Sequence, residues 1–277
     1  MFYKKITALQ AEYTNTEVIM GSSLVFFIIF WTTKAFSFLA HGNTLLERVI
    51  HFIIRYLPKP TFVIKNQGGI FLVDAYDDSM TICSGYFEKE LRPWLALPTS
   101  RDLFIDIGAN RGIYSILACT QYGYAKALAF EPNQEVSTVL KENLTLNELA
   151  EKVTIHTVAL GEKMGEAPFT VDPLHKGGGR IEDTHRNIDT SSTVSVATLD
   201  SILDPEEKTA VSFIKIDTEG YEIAVLKGMK NTLSHMQKGS VLMIESTEAA
   251  MIETFLTRFQ FKHSTTNKHD HLFIKHA

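Results

Sequence analysis

Three carboxylates fall within the stretch Asp217-Thr218-Glu219-Gly220-Tyr221-Glu222, directly after the apolar run of residues 213–216. A buried strand that ends this way delivers acids to the carboxyl edge of an α/β sheet, where such sheets bind ligands. Asp217 and Glu219 could there attract a cationic ligand group, hold a hydroxyl or act as a general base. For Glu222 a plainer role competes, because the first turn of a helix favours acids.

A second constellation is Phe104-Ile105-Asp106-Ile107-Gly108-Ala109-Asn110-Arg111-Gly112, an apolar strand running into a glycine loop that opens a helix. Such a turn lets a ligand approach bare backbone. Its GxxxG spacing differs from the GxGxxG of dinucleotide sites and implies a wider loop without a pyrophosphate cradle. A third is Ala127-Leu128-Ala129-Phe130-Glu131-Pro132, which places Glu131 at the tip of the next strand. A carboxylate there can accept both hydroxyls of a ribose, a device that specifies a nucleoside and leaves the cofactor undecided.

The elements that must carry these groups follow from alternating patterns. Strands are expected over residues 103–107, 127–131, 153–160, 211–216 and 241–245, with helices from 112, over 133–147, over 221–228 and through 251–258. That alternation predicts right-handed crossovers and a mostly parallel sheet. Residues 260–263 and 272–275 are close enough to close it with an antiparallel hairpin. The fold class expected is therefore α/β, Rossmann-like, preceded by an N-terminal hydrophobic helical segment. Short extended runs at 169–171 and 193–197 flank Lys176-Gly177-Gly178-Gly179-Arg180, read as an irregular, partly mobile loop. Residues 62–64 and 70–74 flank Asn66-Gln67-Gly68-Gly69 and predict a β-hairpin that leads into the core.

Length and composition bound the alternatives. The 277 residues suit one main core with an appendage; 45% are hydrophobic and 21% charged, which excludes both a disordered chain and a multi-span membrane protein. A formal charge of −5 gives no electrostatic footprint for nucleic acid, so no nucleic-acid partner is expected. Cys83 and Cys119 are in no CxxC or Cys/His cluster, which fits a reducing compartment and no zinc site. His263, His269, His271 and His276 crowd the C-terminal strands without metal-site spacing, and no metal is expected.

Residues 1–60 read as a hydrophobic and amphipathic helical segment, and residues 61–277 as the catalytic domain. Residues 18–31 (VIMGSSLVFFIIFW) and the resumed run at 35–40 could just span a bilayer. An interfacial helix or a buried core helix stays open, because the uninterrupted part is shorter than the ~20 residues of a spanning helix. Residues 45–57 have helical apolar spacing with Arg48 and Arg55 on a shared polar side, which suits either a membrane surface or packing on the domain. Membrane association through residues 18–57 would leave a cytoplasmic catalytic domain, since Lys34, Arg48, Arg55, Lys59 and Lys65 follow the run.

DIGANRG, FEPN, ENLTLN at 142–147, Val158-Ala159-Leu160-Gly161, Thr198-Leu199-Asp200 and KIDTEGYE, in that order, resemble the FkbM family of methyltransferases. The resemblance covers roughly residues 85–273, and the Asp-x-Glu-Gly-x-Glu element is its most specific part. It implies S-adenosylmethionine as cofactor and O-methylation of a hydroxyl on a sugar, glycan or secondary metabolite. By position it implies that Asp106, Gly108, Asn110 and Gly112 surround the methionine part, Glu131 the ribose, and Ala159 and Leu160 the adenine. Arg111 departs from the pattern, standing where such proteins often carry an apolar residue. Glu88, in Gly85-Tyr86-Phe87-Glu88, matches a glutamate that the family tends to carry before the first strand.

Asp217 or Glu219 is the expected base for the acceptor hydroxyl, with His175, His185 and Glu88 in reserve and the loop at 176–180 closing over the acceptor. Two rivals are an NAD-dependent oxidoreductase, which the missing GxGxxG disfavours, and a membrane-tethered scaffold that binds nucleoside without turnover.

Overall fold

The structure is a computed structural model that describes residues 17–20, 28–29, 61–74, 79, 83, 87–172, 175–181 and 192–277. The chain divides into two compact units, Met1–Phe87 with Asp172–Gly177, and Glu88–Val171 with Gly178–Ala277.

In the first unit β1 (Glu17–Met20), β2 (Thr61–Asn66) and β3 (Gly69–Asp74) form an antiparallel sheet in the order β1-β2-β3. The β2–β3 hairpin turns at Gln67-Gly68, where Asn66 Oδ1 accepts the Gly68 N–H at 2.7 Å. Phe71 and Val73 alternate along β3 and are buried, as are Phe62 and Ile64 on β2. The apolar run expected to be helical thus opens as a strand: β-branched Val18 pairs with Ile64, and Glu17 with Lys65. Cross-strand pairing gives this backbone its hydrogen bonds without a helix. Ile28 and Ile29 are helical, and the rest of residues 18–57, including the segment at 45–57, lies outside the described residues. Among the described residues no helix is long and apolar enough to cross a membrane.

The second unit holds the carboxylates and the glycine loop singled out in the sequence. β4 (Leu103–Ile107), β5 (Lys126–Phe130) and β6 (Val153–His156) are followed by a small sheet of β7 (Ala159–Leu160), β8 (Gly165–Asp172), β9 (His175–Ile181) and β10 (Ser192–Ala197), in the order β7-β10-β8-β9. β11 (Val211–Ile216), β12 (Val241–Glu245), β13 (Phe261–Asn267) and β14 (Asp270–Lys275) complete a main sheet ordered β13-β14-β12-β11-β4-β5-β6. Five strands, from β12 to β6, are parallel, while β14 runs antiparallel to both β12 and β13. Every residue of β4 and of β11 is buried, as a strand covered on both faces requires. The winding reverses between these two strands, which opens a crevice at their carboxyl ends.

Helices α1 (Ile113–Thr120), α2 (Gln134–Leu146), α3 (Leu199–Ile202), α4 (Pro205–Ala210), α5 (Glu222–Lys227), α6 (Lys230–His235) and α7 (Ala249–Thr257) make the crossovers. Their starts are legible in the residues. Asn133 accepts from the N–H groups of Glu135 and Val136 to begin α2, and Asp204 with Glu207 forms a capping box on α4. Such caps are worth about 1 kcal/mol each. Asp200 performs the same service at a distance, accepting from the N–H groups of Asn231 and Thr232 at 2.8 Å each at the start of α6.

Two further expectations need correction. The strand expected over residues 153–160 breaks after His156, because Ala159 and Leu160 leave the main sheet and pair with Val196 and Ala197. The glycine-rich stretch at 176–180, read as a loop, lies within β9. There the absence of a side chain serves packing, since a Cβ on Gly179 would come within 2.4 Å of the Phe169 ring.

Candidate active site

Asp106 stands one residue before the end of β4 and is fully buried. Its Oδ2 accepts from the Ser115 N–H at 3.0 Å and the Ser115 hydroxyl at 2.7 Å, tying the strand to α1. Oδ1 is buried with no hydrogen-bond partner among the described residues. Burial raises the Asp106 pKa, against the lowering effect of Lys215.

The loop that follows can be built only with glycine at its first position. Gly108 has φ +75°, and a Cβ there would fall 1.8 Å from the Asp217 carbonyl oxygen. The N–H groups of Gly108 and Ala109 both reach the Phe130 carbonyl at 3.0 Å. Asn110, with φ 51°, donates its backbone N–H to Glu131 Oε2 at 2.9 Å, and Asn133 N–H donates to Oε1 at the same distance. Glu131 is therefore buried but supported, and burial still pushes its carboxyl up to about 7 against those two bonds. Gly112 caps α1 in a left-handed conformation. Arg111 is buried, and its carbonyl accepts from Asn143 Nδ2 at 2.9 Å, which gives an asparagine on α2 a role in holding the loop.

Asp106, Gly108, Asn110, Gly112 and Glu131 thus share one corner. Ala159 and Leu160 lie on the small sheet, with Leu160 packed in the main apolar core and Ala159 in a smaller cluster with Ala167 and Val196.

Across the crevice, Asp217 donates its backbone N–H to the Ile107 carbonyl at 3.1 Å. Lys215, buried on β11, reaches Asp217 Oδ2 at 3.1 Å and the Gly108 carbonyl at 3.2 Å, and its ammonium lies 5.2 Å from the centre of the Tyr114 ring. Burial alone would lower its pKa, but Asp217, Asp106 and Glu88 outweigh that and hold it raised. Tyr114 in turn donates to Glu88 Oε2 at 2.7 Å. Glu222 is buried, and its Oε1 accepts from Gly220 N–H, Thr218 N–H and Thr218 Oγ1, so it shapes the turn that presents Asp217 and Glu219. Glu219 is exposed, and desolvation with Asp217 and Glu222 nearby raises its pKa.

Backbone strain gathers here. Glu88, Asn110 and Glu219 all have positive φ without being glycine, at 48°, 51° and 54°. Such conformations cost ~1–3 kcal/mol each and cluster at functional sites.

Two carboxylates at this edge escaped the sequence reading. Glu245 ends β12 and Asp270 begins β14, and they are register partners. Desolvation, with Asp217 among the charges that add to it, pushes them up to about 7 and about 6. Glu245 obeys the strand-tip rule that singled out Glu131. Asp270 had no such signal, because a polar residue beside a hairpin turn is ordinary. His175 lies in β9 without a described side chain, and His185 lies outside the described residues.

This doubly wound sheet, closed by an antiparallel hairpin and carrying a glycine loop and a strand-tip glutamate at its switch point, is the Rossmann-like methyltransferase architecture. The sequence model of the methyltransferase FkbM domain matches residues 106–267, more than half of the chain, and the chain belongs to that family. Hexuronic acid methyltransferase AglP of Haloferax volcanii is 30% identical over 135 residues, 48% of this chain and 52% of AglP. Methyltransferase sdnD of Sordaria araneosa is 26% identical over 181 residues, 55% of this chain and 69% of sdnD. The crystal structure of methyltransferase FkbM from Methylobacillus flagellatus KT aligns with a TM-score of 0.46 at 20% identity, covering 68% of this chain and 46% of that one. The chain spans about half the length of AglP and of that crystallised protein.

S-adenosylmethionine is the cofactor, and the residues present suit it. The unpartnered buried oxygens Asp106 Oδ1 and Asn110 Oδ1 are acceptors ready for an ammonium group, and Glu131 has lone pairs left for a diol after its two N–H bonds.

Proposed function

We propose that this chain transfers a methyl group from S-adenosylmethionine to a hydroxyl oxygen of a sugar, glycan or other small polyhydroxylated metabolite. The observation that carries the reading is the juxtaposition of Asp217 with the Gly108 loop across the switch point, braced by Lys215. AglP acts, by its name, on a hexuronic acid, and this supports a sugar-type acceptor. The transferase is taken as residues 61–277, which contain the whole family match.

Bound S-adenosylmethionine supplies an electrophilic methyl carbon on a positively charged sulfur. The chain's own task is to align an acceptor oxygen behind that carbon and to remove one proton. Asp217 or Glu219 takes the proton from the acceptor hydroxyl, and the residues of the Gly108 loop with Glu131 hold the cofactor. Ala159 and Leu160 are assigned to the adenine by position in the family pattern.

The test is incubation with labelled S-adenosylmethionine and fractionated glycans, lipids and small metabolites, followed by identification of the labelled species. Label on a hydroxyl-derived ether supports the reading. Cofactor binding with no transfer to any hydroxyl acceptor would favour a scaffold instead.

A further inference from the structure

Helix α2 meets the cofactor corner at two places. At its start the Asn133 N–H donates to Glu131 Oε1 at 2.9 Å, and about three turns on, Asn143 Nδ2 donates to the Arg111 carbonyl at 2.9 Å. The Asn110 N–H on Glu131 Oε2, also at 2.9 Å, joins the two. Loop, strand-tip carboxylate and helix thereby form one closed hydrogen-bonded circuit. Packing follows the same path, since a Cβ on Gly112 would come within 2.3 Å of Leu140 Cδ1, one turn before Asn143 on the buried side of α2.

Val136, Leu140 and Leu144 make most of the buried side of α2 apolar, and Asn143 interrupts it while being wholly buried. An amide is costly there unless it is hydrogen-bonded, and asparagine is a poor helix former. What the residue provides is a bond to the loop. That loop needs holding, because Asn110 has φ 51°, a left-handed state that a residue other than glycine keeps only where its surroundings fix it. The Gly112 N–H closes the turn on the Ala109 carbonyl at 2.8 Å. Glu131 holds the turn from the crevice side. Asn143 holds it from within the protein, where no ligand reaches.

We propose that Asn143 is a positioning residue for S-adenosylmethionine. Through the Arg111 carbonyl it keeps the loop in the arrangement that the cofactor binds, before the cofactor arrives. The Asn110 side chain is held with the loop, and its buried Oδ1 is left as an acceptor for the ligand. The inference rests on the placing of the cofactor against Glu131 and the Gly108 loop. A ligand that needs one form of a loop binds more weakly in proportion to the fraction of molecules that leave that form. Loss of one buried hydrogen bond that holds the loop lowers the competent fraction about tenfold.

The experiment compares the full-length wild type with Asn143→Leu, which fills the space without a donor, and with Gly123→Ala, which strains the backbone beyond the other end of α1. Calorimetry should show S-adenosylmethionine and S-adenosylhomocysteine weakened alike, about tenfold, by Asn143→Leu and unchanged by Gly123→Ala. In the unliganded wild type the Asn110 and Gly112 amides should already exchange slowly with solvent. In Asn143→Leu they should exchange about tenfold faster until S-adenosylhomocysteine is added. Wild-type affinity in folded Asn143→Leu overturns the inference, as does an equal loss in Gly123→Ala, which would make the effect one of stability alone. Fast exchange of both amides in the unliganded wild type overturns it too, and that measurement needs no variant. Glu131→Ala separates the two readings: if it leaves the affinity unchanged, the cofactor placement fails, whereas if it weakens binding and Asn143→Leu does not, only the role of Asn143 fails.

Discussion

The Asn110 backbone N–H and Glu131 Oε2 meet at 2.9 Å across the ends of two neighbouring strands, which makes the glycine loop and the strand-tip carboxylate one unit. Glu131→Ala should therefore remove the hydroxyl contacts of the ribose and loosen the loop together. The expected cost is about 1.5–3 kcal/mol of S-adenosylhomocysteine binding, as for charge-assisted hydrogen bonds. Isothermal calorimetry decides it, and an unchanged affinity would put the ribose elsewhere.

The same carboxyl makes ligand-free stability depend on pH. Its folded pKa of about 7 is above the ordinary 4.5, so the folded state prefers the protonated form. The associated stability is fully present below about 4.5 and is lost as pH rises through about 7, by an amount on the order of 3 kcal/mol. Denaturant unfolding at pH 5 and pH 8 should show a larger loss for the wild type than for Glu131→Gln. Parallel losses would show that the carboxylate is better solvated than its burial implies.

Gly108→Ala should be far worse than Gly123→Ala. Both glycines have φ +75°, but a Cβ at Gly123 meets nothing within 4 Å, whereas at Gly108 it would overlap the Asp217 carbonyl. The shared left-handed conformation costs about 1–2 kcal/mol for alanine, and any excess at position 108 measures the closeness of the two strand ends. Thermal unfolding of both variants tests this, with equal shifts as the contrary result.

Lys215→Met removes the cation from among Asp217, Asp106 and Glu88. Breaking a buried pair in this way typically costs about 3–5 kcal/mol, because the partner charge is left uncompensated. The variant should unfold at markedly lower denaturant concentration. A stability within about 1 kcal/mol of wild type would mean that water or proton uptake replaces the lysine.

Asp217→Asn and Glu219→Gln keep shape while removing a base. If either carboxylate takes the acceptor proton, its amide variant should lose ~10² to 10⁴-fold in turnover with little change in S-adenosylhomocysteine affinity. Full activity in both would move the search for the base to Glu88, His175 and His185.

How far the residues announced these relationships depends on what each signal measures. Glu131 and Asp217 were legible because an apolar run that stops at an acid marks both a strand and its end, and Asp106 because a lone acid interrupts such a run just before the glycine loop. Glu88, Tyr114 and Asp270 come from three distant segments and meet Lys215 only through the strand order, in which β14 slips between β12 and β13. No local pattern encodes that. The Lys176–Arg180 stretch misled for a related reason: glycine ordinarily marks a turn, but Gly179 is small to admit the ring of Phe169. The start of the N-terminal run differed from expectation because apolar character alone does not distinguish a helix from the strand that Val18 forms against Ile64.

The pairing of β4 with β11 also sets the order in which a nascent chain can mature. Leu103 and Val211 are register partners about a hundred residues apart, so the half-sheet of β4, β5 and β6 is complete long before β11 is synthesised. Until then the apolar edge of β4 has no partner, a state that invites association with other chains and that folds on slowly because a long loop must close first. Slowed elongation near the codons for residues 211–216 prolongs that state and should accordingly lower the soluble yield more than slowing after them.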